Sequence, residues 1–282
     1  MADDGMPKGK IGDVEVSRLI IGGNQFSGWS HSRDLLYLRD LFKAYATEEK
    51  IMETLEVAEE SGVNAMISGD ARPLRKYAQE RGGTIQWIAQ VHPKVNDVTT
   101  NIKHAIDQGA VGAYVQGGVG DSFVKGGRVD LLGEAVEFIK SQGLIAGIGG
   151  HSIEVPMAVE KAGIQPDFYM KTLHHDNYWS ATPKGKRVEF NVDSGSSRDH
   201  DNIWSIAPEK TIAFMKEVPR PWIAFKVLAA GAIHPREGFK YAFDNGADFV
   251  CVGMFDFQVR ENAIIANRAV TDARRRPRPW RA

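Results

Sequence analysis

The chain has 282 residues, 43% hydrophobic and 25% charged, enough for one large core or two small ones. Its 35 Lys and Arg against 36 Asp and Glu leave a net charge of −1, so no global field draws it to nucleic acid or a membrane surface. A single cysteine, Cys251, excludes an internal disulfide, and no apolar run approaches the ~20 residues of a membrane span.

Residues 1–18 carry no signal-peptide core, so the chain as given is expected in the cytoplasm; an exported form with its signal removed would read the same. The first strand is predicted at 18–22, with Asn24 just beyond it. A long connection, 25–47, follows and carries Phe26, Trp29, Tyr37, Phe42 and Tyr45. Then come a helix at 48–60, a strand at 63–68 ending near Asp70, and a helix at 73–81. The third strand, 85–91, holds Gln90 and leads to His92, before a helix at 98–108. A strand at 112–116 ends on Gln116, and the next helix is 131–142. The strand at 144–148 runs into His151, and a helix spans 155–162. The sixth strand, 167–173, contains Lys171 and opens a second long connection, 176–207. After it come a helix at 208–217, a strand at 222–227 with Lys226, a helix at 236–244, a strand at 248–252 and a helix at 259–274. Gly62, Gly82, Gly109, Gly143, Gly163 and Gly246 stand where helices would need left-handed C-caps. The basic tail, 275–282, is expected to be frayed and solvated.

Eight strand-helix units in order predict an α/β fold, a single (β/α)8 TIM barrel over about 18–274, with long loops after strands 1 and 6. The rival open, doubly wound sheet would want Gly-x-Gly-x-x-Gly after the first strand, and none is there. In a barrel the C-terminal strand ends carry the chemistry, and long loops there tend to be lids.

The second long connection nearly repeats itself. His174-His175-Asp176-Asn177-Tyr178-Trp179-Ser180 is echoed by His200-Asp201-Asn202-Ile203-Trp204-Ser205. Each unit offers a titratable ring, a carboxylate, an amide and an indole, groups that move protons, hold hydroxyls or a metal, and stack on rings. Strand alternation, with charged residues assigned to the lumen, points Lys226 inward with Ala224 and Lys171 inward with His175 rather than His174. It also offers Gln90 with His92, and Asn24, Asp70, Gln116, His151 and Asp256 at other strand ends. His92 and His175, with His151 beside them, form a candidate divalent-metal set. Lys226, costly to bury unless it is used or paired with Asp70 or another carboxylate, is the sharpest candidate for base, imine-forming amine or oxyanion clamp.

Several segments resemble the aldo/keto reductase superfamily: Val16-Ser17-Arg18-Leu19-Ile20-Ile21-Gly22-Gly23, Gly62-Val63-Asn64, Gly147-Ile148-Gly149-Gly150-His151-Ser152, Leu228-Ala229-Ala230-Gly231-Ala232-Ile233, and Gly253 with Gln258, Glu261 and Asn262. The chain also resembles bacterial proteins built on this barrel. The resemblance implies the barrel and a divergent member of that superfamily. The family's catalytic Asp, Tyr, Lys and His are replaced: Met66-Ile67-Ser68 stands in the Asp segment, Arg72 near the Tyr, Val91-His92 around the Lys, and Gln116-Gly117-Gly118 at the His. Asp256 would repel a cofactor phosphate, so NAD(P) is not expected to bind.

The expectation is therefore an enzyme for a small polar, carbohydrate- or polyol-derived substrate. It would move a proton beside a carbonyl or hydroxyl, as an isomerase or lyase. Lys226, His175 and His151 are the expected catalytic groups. Asn24, Asp70, Gln116, Lys171, Asp176, Asn177, Trp179, Asp201 and Trp204 are the expected substrate contacts, and His92 with His175 the metal ligands. The rivals are a divergent nicotinamide-dependent oxidoreductase and a non-catalytic sugar-binding or assembly protein. Neither nucleic acid nor membrane is expected as a partner, and the sequence is silent on oligomeric state.

Overall fold

The computed structural model describes residues 5–32, 35, 37–189, 204–274 and 276–282. A hairpin of β1 (Lys8–Ile11) and β2 (Val14–Ser17) comes first. Then eight parallel strands close on themselves: β3 (Leu19–Gly22), β4 (Ala65–Ser68), β5 (Gln86–Val91), β6 (Gly112–Val115), β7 (Ile145–Gly150), β8 (Phe168–Thr172), β9 (Trp222–Phe225) and β10 (Phe249–Gly253), with β10 pairing β3. The predicted (β/α)8 barrel is therefore the observed one.

The helices are α1 (Tyr37–Tyr45), α2 (Glu48–Glu60), α3 (Arg72–Arg81), α4 (Thr100–Asp107), α5 (Gly117–Lys125), α6 (Val129–Ser141), α7 (Glu154–Lys161), α8 (Pro208–Glu217), α9 (Pro235–Asp244) and α10 (Asp256–Asp272). Eight of these match the sequence expectation within three residues at either end. The six glycines proposed as helix stops all take positive φ; Gly82, at φ 70°, caps α3 in the left-handed conformation no β-carbon favours. The hairpin, α1 and α5 were not foreseen. Gly117-Gly118 and Gly120 hide α5, because glycine is a poor helix former.

Two apolar layers fix which way each strand residue points. One joins Leu19, Met66, Trp87, Ala146, Tyr169, Trp222, Ala224 and Val250 to the buried faces of the helices. The other contains no helical residue: Ile20, Ile67, Ile88, Tyr114, Ile145, Phe168, Met170, Ile223, Phe249 and Cys251, with Ile11 and Val16 of the hairpin. That second layer is the lumen, floored by β1 and β2.

This corrects the face assignment. Met170 and Phe168 point into the lumen, so Lys171 belongs to the opposite face of β8, and Ile223 rather than Ala224 points inward on β9. A narrow eight-stranded lumen is filled by apolar side chains, so a mid-strand charge is not forced into it. Lys171 instead lies at the strand end, 2% exposed. Its Nζ donates to the His151 carbonyl (2.7 Å), the Thr172 carbonyl (3.1 Å) and Thr172 Oγ1 (2.7 Å).

The tail is not frayed. Arg276 and Arg278 fold under the barrel and meet the buried Asp248 at 3.3 and 3.5 Å. Arg278 also donates to the carbonyls of Met215 and Arg220, and Arg276 lies 3.4 Å from the Trp280 ring centroid. A buried carboxylate without partners would be costly, and that need draws the arginines in.

Candidate functional site at the barrel mouth

Lys226 follows β9 directly, and its backbone is left-handed, at φ 59°. Strand alternation stops there, so the side chain turns over the mouth although its parity would send it to the helix layer. Its Nζ lies 3.1 Å from the centroid of the Trp204 ring and 3.5 Å from His31 Nδ1. His31 is also left-handed, at φ 55°, and its Nε2 lies 2.9 Å from Asn24 Nδ2. An ammonium only donates, so its contact makes Nδ1 the acceptor and leaves Nε2–H to donate. Consistent proton positions then require the Asn24 amide to be turned so that its oxygen accepts from Nε2–H.

The four non-glycine residues with positive φ among the described residues are His31, Lys226, Ala229 and Ala230, all in loops at the C-terminal strand ends. Each costs on the order of 1–3 kcal/mol, and such strain collects at functional sites.

His151 stands on the other side. Its ring centroid is 5.6 Å from that of Trp204 and 5.3 Å from that of Phe225. Nδ1 lies 2.7 Å from Asp121 Oδ2, and the same carboxylate accepts from the backbone N–H of His151 and of Ser152, each 3.0 Å from Oδ1. Burial, and then the charge of Lys226, push the ring down to about 4, with Asp121 opposing in part. Burial pulls the Lys171 ammonium down to about 8.

Trp204 is 5% exposed and covers this group. It is pinned by His174, whose Nε2 accepts from the backbone N–H of Trp204 (3.0 Å) and Ser205 (2.9 Å) while Nδ1 donates to the His175 carbonyl (2.7 Å). So the inward histidine is His174, not His175. The sequence assignment slipped by one residue, which inverts every side chain. His175 turns to α9, its Nε2 3.8 Å from Glu237 and its ring 5.4 Å from Tyr241.

Other predicted contacts are dispersed. Asp70 is held by Arg72, whose guanidinium donates to both carboxylate oxygens and keeps its carboxyl below the usual range. Asp176 pairs with Arg187 at 2.9 Å. Neither carboxylate pairs with Lys226 as expected. Gln116 folds back to cap α5, its Oε1 accepting from the Val119 N–H at 3.0 Å. Gln90 accepts from the Tyr114 hydroxyl at 2.7 Å. Asp256 binds Tyr45 at 2.6 Å and Lys50 at 3.1 Å. Asn177 is exposed and Trp179 fully so. Asp201, with the rest of the second repeat before Trp204, lies outside the described residues.

His92 leaves β5 and His175 leaves β8, with β6 and β7 between them. Among the described residues no three His, Cys, Asp or Glu side chains group as a metal set. At the end of β4, Ser68 Oγ accepts from the Trp87 indole at 3.0 Å and donates to the Asp70 carbonyl.

Sequence reasoning missed His31 and Asp121. The Gly117-Gly118-x-Gly120-Asp121 run was the available signal for Asp121: glycines that let a helix lie close, then a carboxylate. His31 left none beyond its place in a long loop.

No protein-family model matches the chain, and no curated protein matches it significantly. Solved structures do. A putative aldo-keto reductase from Pseudomonas aeruginosa aligns at 15% identity and TM-score 0.63, over 95% of this chain and 96% of that one. An aldo/keto reductase from Brucella melitensis aligns at 12% and 0.53, over 94% and 99%. The Amycolatopsis orientalis BexX/CysO complex aligns at 15% and 0.52, over 94% and 92%. The barrel of this chain is similar to those of aldo/keto reductases, and the likeness is one of fold.

Proposed function

We propose that this barrel is an enzyme that moves a proton beside a carbonyl or hydroxyl of a small polar, carbohydrate- or polyol-derived substrate. The observation that carries the reading is the meeting of Lys226, His31 and His151 around one indole at the mouth, with two of the three on left-handed backbone. One imidazole removes a proton from carbon, and the electron pair moves onto the adjacent carbonyl oxygen. The Lys226 ammonium stabilises that oxyanion. Transfer of the neighbouring hydroxyl's proton to that oxygen, with return of the carbon proton to the former carbonyl carbon, completes an isomerisation; departure of a β-hydroxyl, protonated as water by the imidazolium, completes an elimination. Trp204 and Phe225 keep bulk water away, which strengthens each of these interactions.

The test is deuterium exchange. Aldoses, ketoses and polyol-derived ketones incubated in D2O with the protein should lose the 1H NMR signal of the carbon next to the carbonyl. Lys226→Met should cut that exchange by ~10²-fold or more, the scale of losing one preorganised donor, at an unchanged melting temperature. Exchange untouched by Lys226→Met, or absent across the panel, would sink the reading. The shared barrel makes a nicotinamide oxidoreductase the rival. Micromolar binding of NADPH by fluorescence titration, about 8 kcal/mol, would favour it.

A further inference from the structure

We infer that Asp121 is the positioning residue that fixes His151 as the Nδ1–H tautomer, so that Nε2 is the proton acceptor in the reaction proposed above. Four features of the fold bring this about. First, α5 lies unusually close to β7. A β-carbon at Gly120 would overlap the Gly149 carbonyl, and one at Gly117 would sit 3.0 Å from His151 Cε1. Second, that approach places Asp121 on the first turns of α5, where it reaches the residues just past β7. Third, among the described residues its two oxygens meet N–H groups: Oδ1 the amides of His151 and Ser152, Oδ2 the His151 amide at 3.2 Å and the ring at 2.7 Å. The hydrogen in the ring contact therefore belongs to Nδ1, and the neutral ring carries its basic lone pair on Nε2. Fourth, the backbone beneath the ring is clamped: the His151 carbonyl accepts from Lys171 Nζ (2.7 Å) and Thr172 Oγ1 (3.0 Å). Nδ1 and both backbone groups are thereby held, and the ring packs against Trp204 and Phe225, its centroid 5.6 and 5.3 Å from theirs.

The neutral form is the one populated at pH 7, because burial and the nearby Lys226 charge hold the ring near 4. That suits a base rather than an acid as the starting state. The acid would then be His31 or Lys226.

Asp121→Asn tests the assignment with little change of shape. To keep both backbone N–H bonds, the new amide must direct its oxygen at them and its NH2 at Nδ1. Nδ1 must then accept, so the ring switches to Nε2–H. Two-bond 1H–15N correlation on the full-length protein at pH 7 reads the tautomer directly. Nδ1–H in the wild type and Nε2–H in Asp121→Asn is the expected result, with turnover in the exchange assay reduced by about 10³-fold or more, as for a triad whose aspartate becomes asparagine. Nε2–H in the wild type, or Nδ1–H in both proteins, overturns it. Should Asp121→Asn fail to fold, the wild-type spectrum alone decides. The tautomer is read without any substrate, so the assignment can fail while exchange succeeds, and the reverse.

Discussion

His151 carries a burden in the folded state that the unfolded chain does not share. Its ring sits near 4 when folded and near the usual 6.5 when unfolded. Between those values the unfolded state binds more protons, so stability rises with pH across that window and is lost as pH falls through it. The difference amounts to roughly 3 kcal/mol below pH 4, from about 2.5 pKa units. The urea midpoint of the wild type should therefore fall relative to that of His151→Gln as pH drops from 7 to 4. A gap that stays constant with pH would show that the ring is not buried neutral. Cys251, in the lumen layer, is different: burial alone pushes its thiol up to about 12, which leaves it protonated and unreactive at pH 7.

At the scale of elements, the barrel was legible because strands buried on both sides read as apolar runs and helices as amphipathic ones. The facing of charged residues was not. Lys171 and Lys226 were assigned to the lumen on charge alone, yet each solves its burial at the strand end: one by reaching carbonyls, the other by leaving the strand through a left-handed residue. A left-handed lysine leaves no trace in sequence. The repeat His-Asp-Asn-x-Trp-Ser falls in the loop that covers the mouth, where the structure uses His174 and Trp204 as latch and cover and turns His175 outward. The element that sequence missed, α5, is the one on which the site most depends. Gly120→Ala puts a methyl group against the Gly149 carbonyl and must lift α5 from β7. Overpacking of this kind typically costs 1–3 kcal/mol. The urea midpoint should fall accordingly, although alanine is the better helix former, and the Nδ1–H signal of His151 should broaden or vanish as Asp121 withdraws. A variant as stable as the wild type, with that signal intact, would show that α5 has room to spare.

Across the whole molecule the barrel separates its two ends. The mouth holds the strained, polar group; the floor holds stability. Asp248 is fully buried before β10, and it accepts from the backbone N–H of Trp222 (2.9 Å) and Arg281 (2.8 Å) as well as facing Arg276 and Arg278. Arg18, just before β3, donates to the Asp248 carbonyl (3.0 Å) and the Ala282 carbonyl (2.6 Å) and stacks over Trp280 at 4.3 Å. The tail thus ties the closing strands β9, β10 and β3 together at the seam of the barrel. Burial pulls Arg276 down to about 10, with Asp248 opposing, so its guanidinium stays charged at pH 7; burial lowers Arg278 too, again against the pull of Asp248. Removing the carboxylate leaves two buried cations and two amides without their acceptor. Asp248→Ala should therefore cost about 3–5 kcal/mol, the scale for breaking a buried pair from one side. For a chain of this size that is a fall in melting temperature on the order of 10 °C. Deleting 276–282 should do comparable damage by orphaning Asp248 instead. The four residues of β9, at ~3.3 Å per residue, put this floor ~13 Å from Lys226. Turnover per folded molecule should accordingly be unchanged in Asp248→Ala below its melting transition. A loss below ~1 kcal/mol would mean the tail merely rests on the barrel, and a loss of turnover without unfolding would mean the floor and the mouth are coupled.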